Sequence, residues 1–128
     1  MEKSLYLRPL LVLLLIMIAS VSQAQDYTYY NNLAKKEYEN KNYYNTVDYA
    51  TRSINASANG EAYWWRGMAR SFLKNYADAA ADFSSAISYY SSDRSSLGKL
   101  YYWRAKCKAQ QGLNKDAIGD YQAALSYD

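Results

Sequence analysis

The chain reads as an all-α protein: an α-solenoid of three antiparallel helix-turn-helix repeats behind an apolar leader. Three observations predict this. The only proline among the 128 residues is Pro9, so nothing after the leader carries that helix breaker, and the remainder is rich in alanine. Apolar and aromatic residues recur three or four apart, which lays one stripe along each helix. Similar segments return at offsets of 33 and 38 residues, the mark of a repeat architecture.

The leader is set aside from the fold. Glu2, Lys3 and Arg8 form a short polar lead that ends at Pro9; an unbroken apolar run, residues 10–19, follows, and then the small and polar residues 20–24. This is the layout of a secretory signal peptide over residues 1–24. Ser22 and Ala24 are small where signal peptidase requires it, and cleavage is expected after Ala24. An uncleaved membrane anchor is the alternative, but a span needs roughly 20 apolar residues and this run is about half that. No cysteine lies near the cleavage position, so a lipid-modified anchor is not expected. Residues 25–128 then form an exported domain, periplasmic or extracellular, with no stable membrane insertion once the leader is removed.

The three units cover approximately residues 27–58, 60–92 and 93–128. Tyr30, Tyr63 and Tyr101 open the first helix of each, and Ala34, Gly67 and Ala105 fill a small-residue slot four positions later. Thr46, Ala79 and Ala117 fill a second small slot, in the second helix, and Ser53, Ala86 and Ala124 a third. Two antiparallel helices approach closely only where side chains are small, and Ile54, Ile87 and Leu125 fill the space beside the contact. Helices are expected over 27–40, 43–56, 61–73, 76–90, 94–111 and 114–127. Gly60 is expected to turn the chain between the first two units with a left-handed backbone. Residues 91–96 make the longer connection behind the 38-residue offset, and Asp93, in preference to Ser96, is the expected cap of the fifth helix.

The set of slots resembles the tetratricopeptide repeat, a helix-turn-helix unit of roughly 34 residues with small and aromatic residues at fixed places. The second segment, from Tyr63-Trp64-Trp65-Arg66-Gly67-Met68-Ala69 to Ala86-Ile87, carries the resemblance best. The third is close behind, with Gly112 at its turn. The first departs from it, with Thr46, Ala50 and Ser53 at slots usually held by alanine, a bulky aromatic and alanine. The resemblance covers nearly all of residues 25–128 and implies hairpins whose first helices line a concave face. Some members of that family hold a peptide's C-terminal carboxylate with a basic-and-asparagine clamp. The corresponding slots here hold Asn31, Lys35, Trp65, Lys99 and Trp103, of which only Lys99 is of the expected type, so that clamp is expected to be absent.

Arg66 and Asp82 are 16 residues apart, as are Arg104 and Asp120. In this register each arginine faces an aspartate on the second helix of its own hairpin, and structural salt bridges are expected. The first unit has Leu33 and Tyr49 at those slots, so both charges are missing together.

Catalysis is not expected. Without any histidine the chain lacks the commonest general base and metal ligand, and its five glycines form no phosphate loop. Cys107, the single cysteine, aligns with Ala69 and should be a buried packing residue. No metal or cofactor is expected. The net charge of +3 is scattered, without the concentrated positive face that nucleic acid requires.

What remains is a binding surface. The inner face should carry Asn31, Asn32, Lys35 and Tyr38 from the first unit, and Trp64, Trp65, Met68 and Phe72 from the second. Tyr102, Trp103 and Lys106 come from the third, which puts every tryptophan of the chain on one surface. The expected function is a protein–protein interaction module that binds a peptide or partner protein in this aromatic groove, with Lys35 and Lys106 favouring an acidic one. Glycan binding by tryptophan stacking is one alternative. Self-assembly as a homo-oligomer is another, through Ile118, Tyr121 and Leu125 of the uncapped last helix.

Overall fold

The computed structural model describes residues 2–127; Met1 and Asp128, the outer limits of the expected leader and repeat domain, lie outside the described residues. Six helices follow one another: α1 (Glu2–Glu39), α2 (Tyr43–Ala56), α3 (Gly60–Phe72), α4 (Tyr76–Tyr89), α5 (Arg94–Gln110) and α6 (Asn114–Ser126). The last five agree with the expected bounds to within one residue. The first does not, because it begins at Glu2 rather than near Tyr27. Residues 20–26 contain neither glycine nor proline, so nothing there stops the repeat's first helix from running back through the leader. Pro9 lies inside it and deletes one backbone hydrogen bond without ending it. The leader's large apolar side chains, Leu5 to Val21, stand exposed.

The helices pair as antiparallel hairpins, α1 with α2, α3 with α4 and α5 with α6, and the hairpins stack α2 on α3 and α4 on α5. The first helices also touch along the stack, α1 with α3 and α3 with α5. The second helices, α2, α4 and α6, do not touch one another. Spacing is therefore shorter along the first helices, and that side of the solenoid is the concave one.

The small slots do what close approach demands. Ala34, Ala105, Thr46, Ala79, Ser53 and Ala86 are fully buried, while Ala124, at the uncovered end of the stack, is only half-buried. The central core is Phe83, Leu100, Cys107, Met68, Ala79 and Ala86, where the second and third hairpins meet.

Each hairpin turns the same way. Lys41 (φ 61°), Lys74 (φ 63°) and Gly112 (φ 78°) stand at equivalent positions in the left-handed region. In each case the next residue's N–H returns to the carbonyl five residues back: Asn42 to Glu37 (2.8 Å), Asn75 to Arg70 (2.9 Å) and Leu113 to Lys108 (3.0 Å). Together with the bond from the left-handed residue's own N–H to the carbonyl three residues back, this closes the helix end as a Schellman motif.

Gly60 departs from expectation. It opens α3, and its value lies in close approach: a Cβ there would sit 2.6 Å from Cβ of Tyr89 and 2.8 Å from Cε2 of Tyr90. The turn before it belongs to Asn59, whose extended backbone and side chain cap α3 by accepting the Ala62 N–H at 2.9 Å. Asp93 caps α5, accepting the Ser96 N–H (3.1 Å) and hydroxyl (2.6 Å). These bonds hold its carboxyl below the usual carboxylate range.

Candidate functional site

Seven aromatic rings form a continuous ribbon across the three hairpins. Tyr38, in the last turn of α1, lies 5.3 Å from Trp65 of α3 and 5.8 Å from Tyr43 at the start of α2. Tyr43 stacks on Phe72 at 4.8 Å, nearly parallel, and Phe72 reaches Trp103 of α5 at 6.3 Å. Trp103 meets Tyr102 edge-on at 6.0 Å, and Tyr102 meets Tyr121 of α6 at 5.9 Å. Helical spacing explains the arrangement: Trp65 and Phe72 are two turns apart on one face of α3, which turns toward α1 on one side and α5 on the other.

The ribbon is not a finished core. Phe72 is 48% exposed and Tyr102 45%. Lys106 lays its ammonium 4.6 Å from the Trp103 ring centre and 5.6 Å from that of Tyr102, a cation–π contact with one face of the ribbon. Lys35 stands exposed one turn before Tyr38. Burial, and then the neighbouring Tyr43, push the Tyr38 phenol above its ordinary pKa.

Of the groove residues expected from sequence, Tyr38, Trp65, Phe72, Tyr102, Trp103 and Lys106 share this surface through the contacts given above. Met68 does not, being 8% exposed and part of the central core. Trp64 turns the other way, half-buried at the hairpin junction with its ring edge-on to Tyr90 at 5.5 Å. Both corrections have one cause: neighbours on a helix differ by about 100° in direction, and Trp65 holds the outer of the two directions. Tyr43 and Tyr121 were missed because they belong to second helices, which sequence reasoning kept off the inner face.

Asn31 is corrected as well. It is buried, and its amide donates to Oδ1 of Asn59 (2.9 Å) and Oε2 of Glu61 (3.3 Å) while its oxygen accepts the Ser53 hydroxyl (2.6 Å). Asn59 in turn donates to Ser53 Oγ at 3.0 Å. A serine in a slot that holds alanine elsewhere must find partners once buried, and this network supplies them at the junction of α1, α2 and α3.

The two arginine–aspartate pairs meet on the flank of the hairpins. Arg66 forks onto Asp82 through Nε (3.0 Å to Oδ2) and Nη2 (2.9 Å to Oδ1), and Arg104 forks onto Asp120 through Nε (2.8 Å) and Nη2 (2.7 Å). Each aspartate takes a second cation one helical turn on, Arg70 at 2.8 Å and Lys108 at 2.9 Å. Each arginine also reaches back to the preceding hairpin, Arg66 to Thr51 Oγ1 (3.2 Å) and Arg104 to Ser84 Oγ (3.1 Å). Each of these charged groups has an ion-pair partner within the fold, so they brace the stack.

Cys107 is buried, and desolvation pushes its thiol up to about 11, which leaves it unreactive near neutral pH. No group of three or more potential ligands that could hold a metal occurs among the described residues.

No family model and no curated protein matches the chain. Solved structures do. The TPR domain of OM64 from Arabidopsis superposes with a TM-score of 0.76 at 20% identity, over 83% of this chain and 85% of that one. The first TPR of Spaghetti (RPAP3), bound to the HSP90 peptide SRMEEVD, superposes with a TM-score of 0.73 at 23% identity, over 81% of this chain and 80% of that one. The repeat offsets, the hairpin stacking and these superpositions agree: the chain has the tetratricopeptide-repeat fold, in three units.

Proposed function

We propose that the chain is an exported protein–protein interaction module that holds a segment of a partner protein along the aromatic ribbon of its concave face. The observation that carries this is the ribbon itself, which spans all three hairpins yet leaves Phe72 and Tyr102 about half exposed. Exposed rings on a preformed surface are the usual anchors of a protein interface. A similar structure holds a peptide, which supports the class of function. The mode of holding differs from a carboxylate clamp, since Asn31 is tied into the α1–α2–α3 junction and rings stand at two further clamp slots. Lys35 and Lys106 favour acidic side chains beside the anchors.

Capture from an envelope extract tests this, with the full chain immobilised beside a Phe72→Ser/Tyr102→Ser variant. Wild type should retain a partner that the variant loses at least tenfold; identical retention by both would sink the proposal. Glycan stacking gains no comparable support, because Trp103 already carries Lys106 on its ring and Trp65 lies against Tyr38 with its indole N–H on Glu61. For export, the support is an apolar stretch of mean hydropathy 2.1 within Lys3–Glu39, whose length and composition suit either a signal sequence or a span. Mass spectrometry of the chain recovered from its host decides between the two. A mature start at Gln25 is expected, and an intact N-terminus would show an anchor.

A further inference from the structure

The two ends of the stack are chemically unlike. Where α5 docks on the second hairpin it uses Leu97, Leu100 and Cys107, all buried. By the repeat offsets the matching residues of α1 are Asp26, Tyr29 and Lys36, all exposed, so the N-terminal end wears the largely polar face that closes a solenoid. The other end has no such face. Ile118, Tyr121 and Leu125 of α6 occupy the slots of Ala80, Phe83 and Ile87, which α4 presents to α5. Here Ile118 is 56% exposed and Leu125 71%. Between α5 and α6 a cleft of about 690 Å³ opens at the same end, lined by Tyr102, Trp103, Tyr121, Ala124, Leu125 and Tyr127 among others.

We infer that a second copy of this chain covers this end, α6 against α6, in a two-fold symmetric contact. The alternative of stacking head to tail would set Asp26, Asn32 and Lys36 against the exposed side chains of Ile118 and Leu125, which offer a polar group no hydrogen bond, although Arg94, Ser95 and Lys99 line the neighbouring cleft. The symmetric contact sets apolar against apolar. Antiparallel helices centred between Tyr121 and Gln122 bring Ile118 against Leu125 of the second copy. They also place Lys115, exposed and without an ion-pair partner among the described residues, beside the last turn of the second copy's α6. That turn carries the negative end of the helix dipole, so the charge fits. A face about 20 Å long and two helices wide buries on the order of 600 Å² per copy, at the lower edge of the range for specific interfaces. The contact meets the partner-binding ribbon at its C-terminal end, where Tyr102, Trp103 and Tyr121 also line the cleft, and leaves Tyr38, Trp65 and Phe72 open.

Site-specific cross-linking of the full chain in mild detergent tests the geometry. Gln122→Cys should give a covalent dimer with a short bis-maleimide, while wild type, whose Cys107 is buried, should not. Mixing Lys36→Cys with Gln122→Cys chains should add no mixed dimer. Sedimentation should show wild type dimerising in the micromolar range, and Leu125→Glu, on an exposed position, should be monomeric with unchanged circular dichroism. Three results would each overturn the inference. Mixed Lys36→Cys/Gln122→Cys dimers would mean head-to-tail stacking. Dimers that survive Leu125→Glu would mean association through another surface, the leader included. A wild-type monomer through the high-micromolar range would mean that this end belongs to a different chain or to a further segment.

Discussion

Asp82 is the most exposing point at which to disturb the stack. Its carboxylate is 3% exposed and holds the Arg66 fork together with Arg70, while Arg66 continues to Thr51, so one anion joins α2, α3 and α4. Asp82→Ala leaves two guanidinium groups facing one another without a counter-ion. Breaking a fully buried pair in this way costs roughly 3–5 kcal/mol, but these arginine side chains keep 15% and 24% of their surface in water. The expected loss is therefore about 2–3 kcal/mol. Replacing Arg66, Arg70 and Asp82 together with leucine removes every charge of the cluster and should cost less than Asp82→Ala alone, because the penalty lies in the orphaned charge. Unit one is the precedent, with Leu33 and Tyr49 where the pair would stand. Urea unfolding followed by tryptophan emission measures this cleanly, since Trp64, Trp65 and Trp103 lie on α3 and α5 and none lies in the leader. With a slope of about 1.2 kcal/mol/M, the single variant should lower the midpoint by about 2 M. A loss under about 0.5 kcal/mol, or a triple variant weaker than the single one, would refute the reasoning.

Three further outcomes are expected. At the left-handed turn positions Gly112→Ala should lose about 1 kcal/mol, purely from the backbone because nothing lies within 4 Å of the added carbon, whereas Lys74→Gly should gain up to about 1 kcal/mol; thermal melts resolve both signs. Asn59→Ala removes a helix cap and unties Asn31 and Ser53 at once, so urea titration should show a loss of about 2–3 kcal/mol, more than a cap alone is worth. For Asp120, burial pushes the carboxyl up, but hydrogen bonds from Arg104 and Lys108 outweigh it and hold the group below its ordinary value of about 3.9. The unfolded chain therefore takes up the proton first as pH falls. The stability this carboxylate adds is complete well above pH ~4 and is lost as pH drops through the folded value. Asp120→Asn should accordingly be weaker than wild type at pH 7, with the gap closing in acid; a gap that stays constant with pH would contradict this.

The hairpins were legible because their determinants are local and periodic. A small residue four positions after Tyr30, Tyr63 or Tyr101 announces a close crossing wherever it occurs, and the arginine–aspartate spacing of 16 announces two helices lying side by side. The helix directions on the concave face were less so. Trp64 and Trp65, or Met68 and Ala69, are adjacent letters whose fates depend on a phase of about 100°, and that phase is set by which neighbouring hairpin each helix docks against. Tyr43 and Tyr121 join the ribbon from second helices, through contacts that only the stack creates. The polar junction could have been found. Ser53 stands at a slot that holds a fully buried alanine, Ala86, in the second unit, and a buried polar group demands partners, which Asn31 and, from the adjoining turn, Asn59 supply.

The same logic separates what braces the fold from what is left to bind. Arg66, Arg70, Asp82, Arg104, Lys108 and Asp120 look like a charged site in sequence, yet every one is matched within the stack, and a matched ion has little left to offer a ligand. The aromatic residues behave in the opposite way. Tyr63 and Tyr101, which open the hairpins, are satisfied by stacking on Tyr89 and Tyr127 of their own units. Phe72 and Tyr102 touch their neighbours and still face water over nearly half their surface. Phe72 has no polar tip to justify that exposure, so hydration alone gives it no reason to stand where it does. In the proposed function this exposed face of Phe72 is where an apolar side chain of the partner lies.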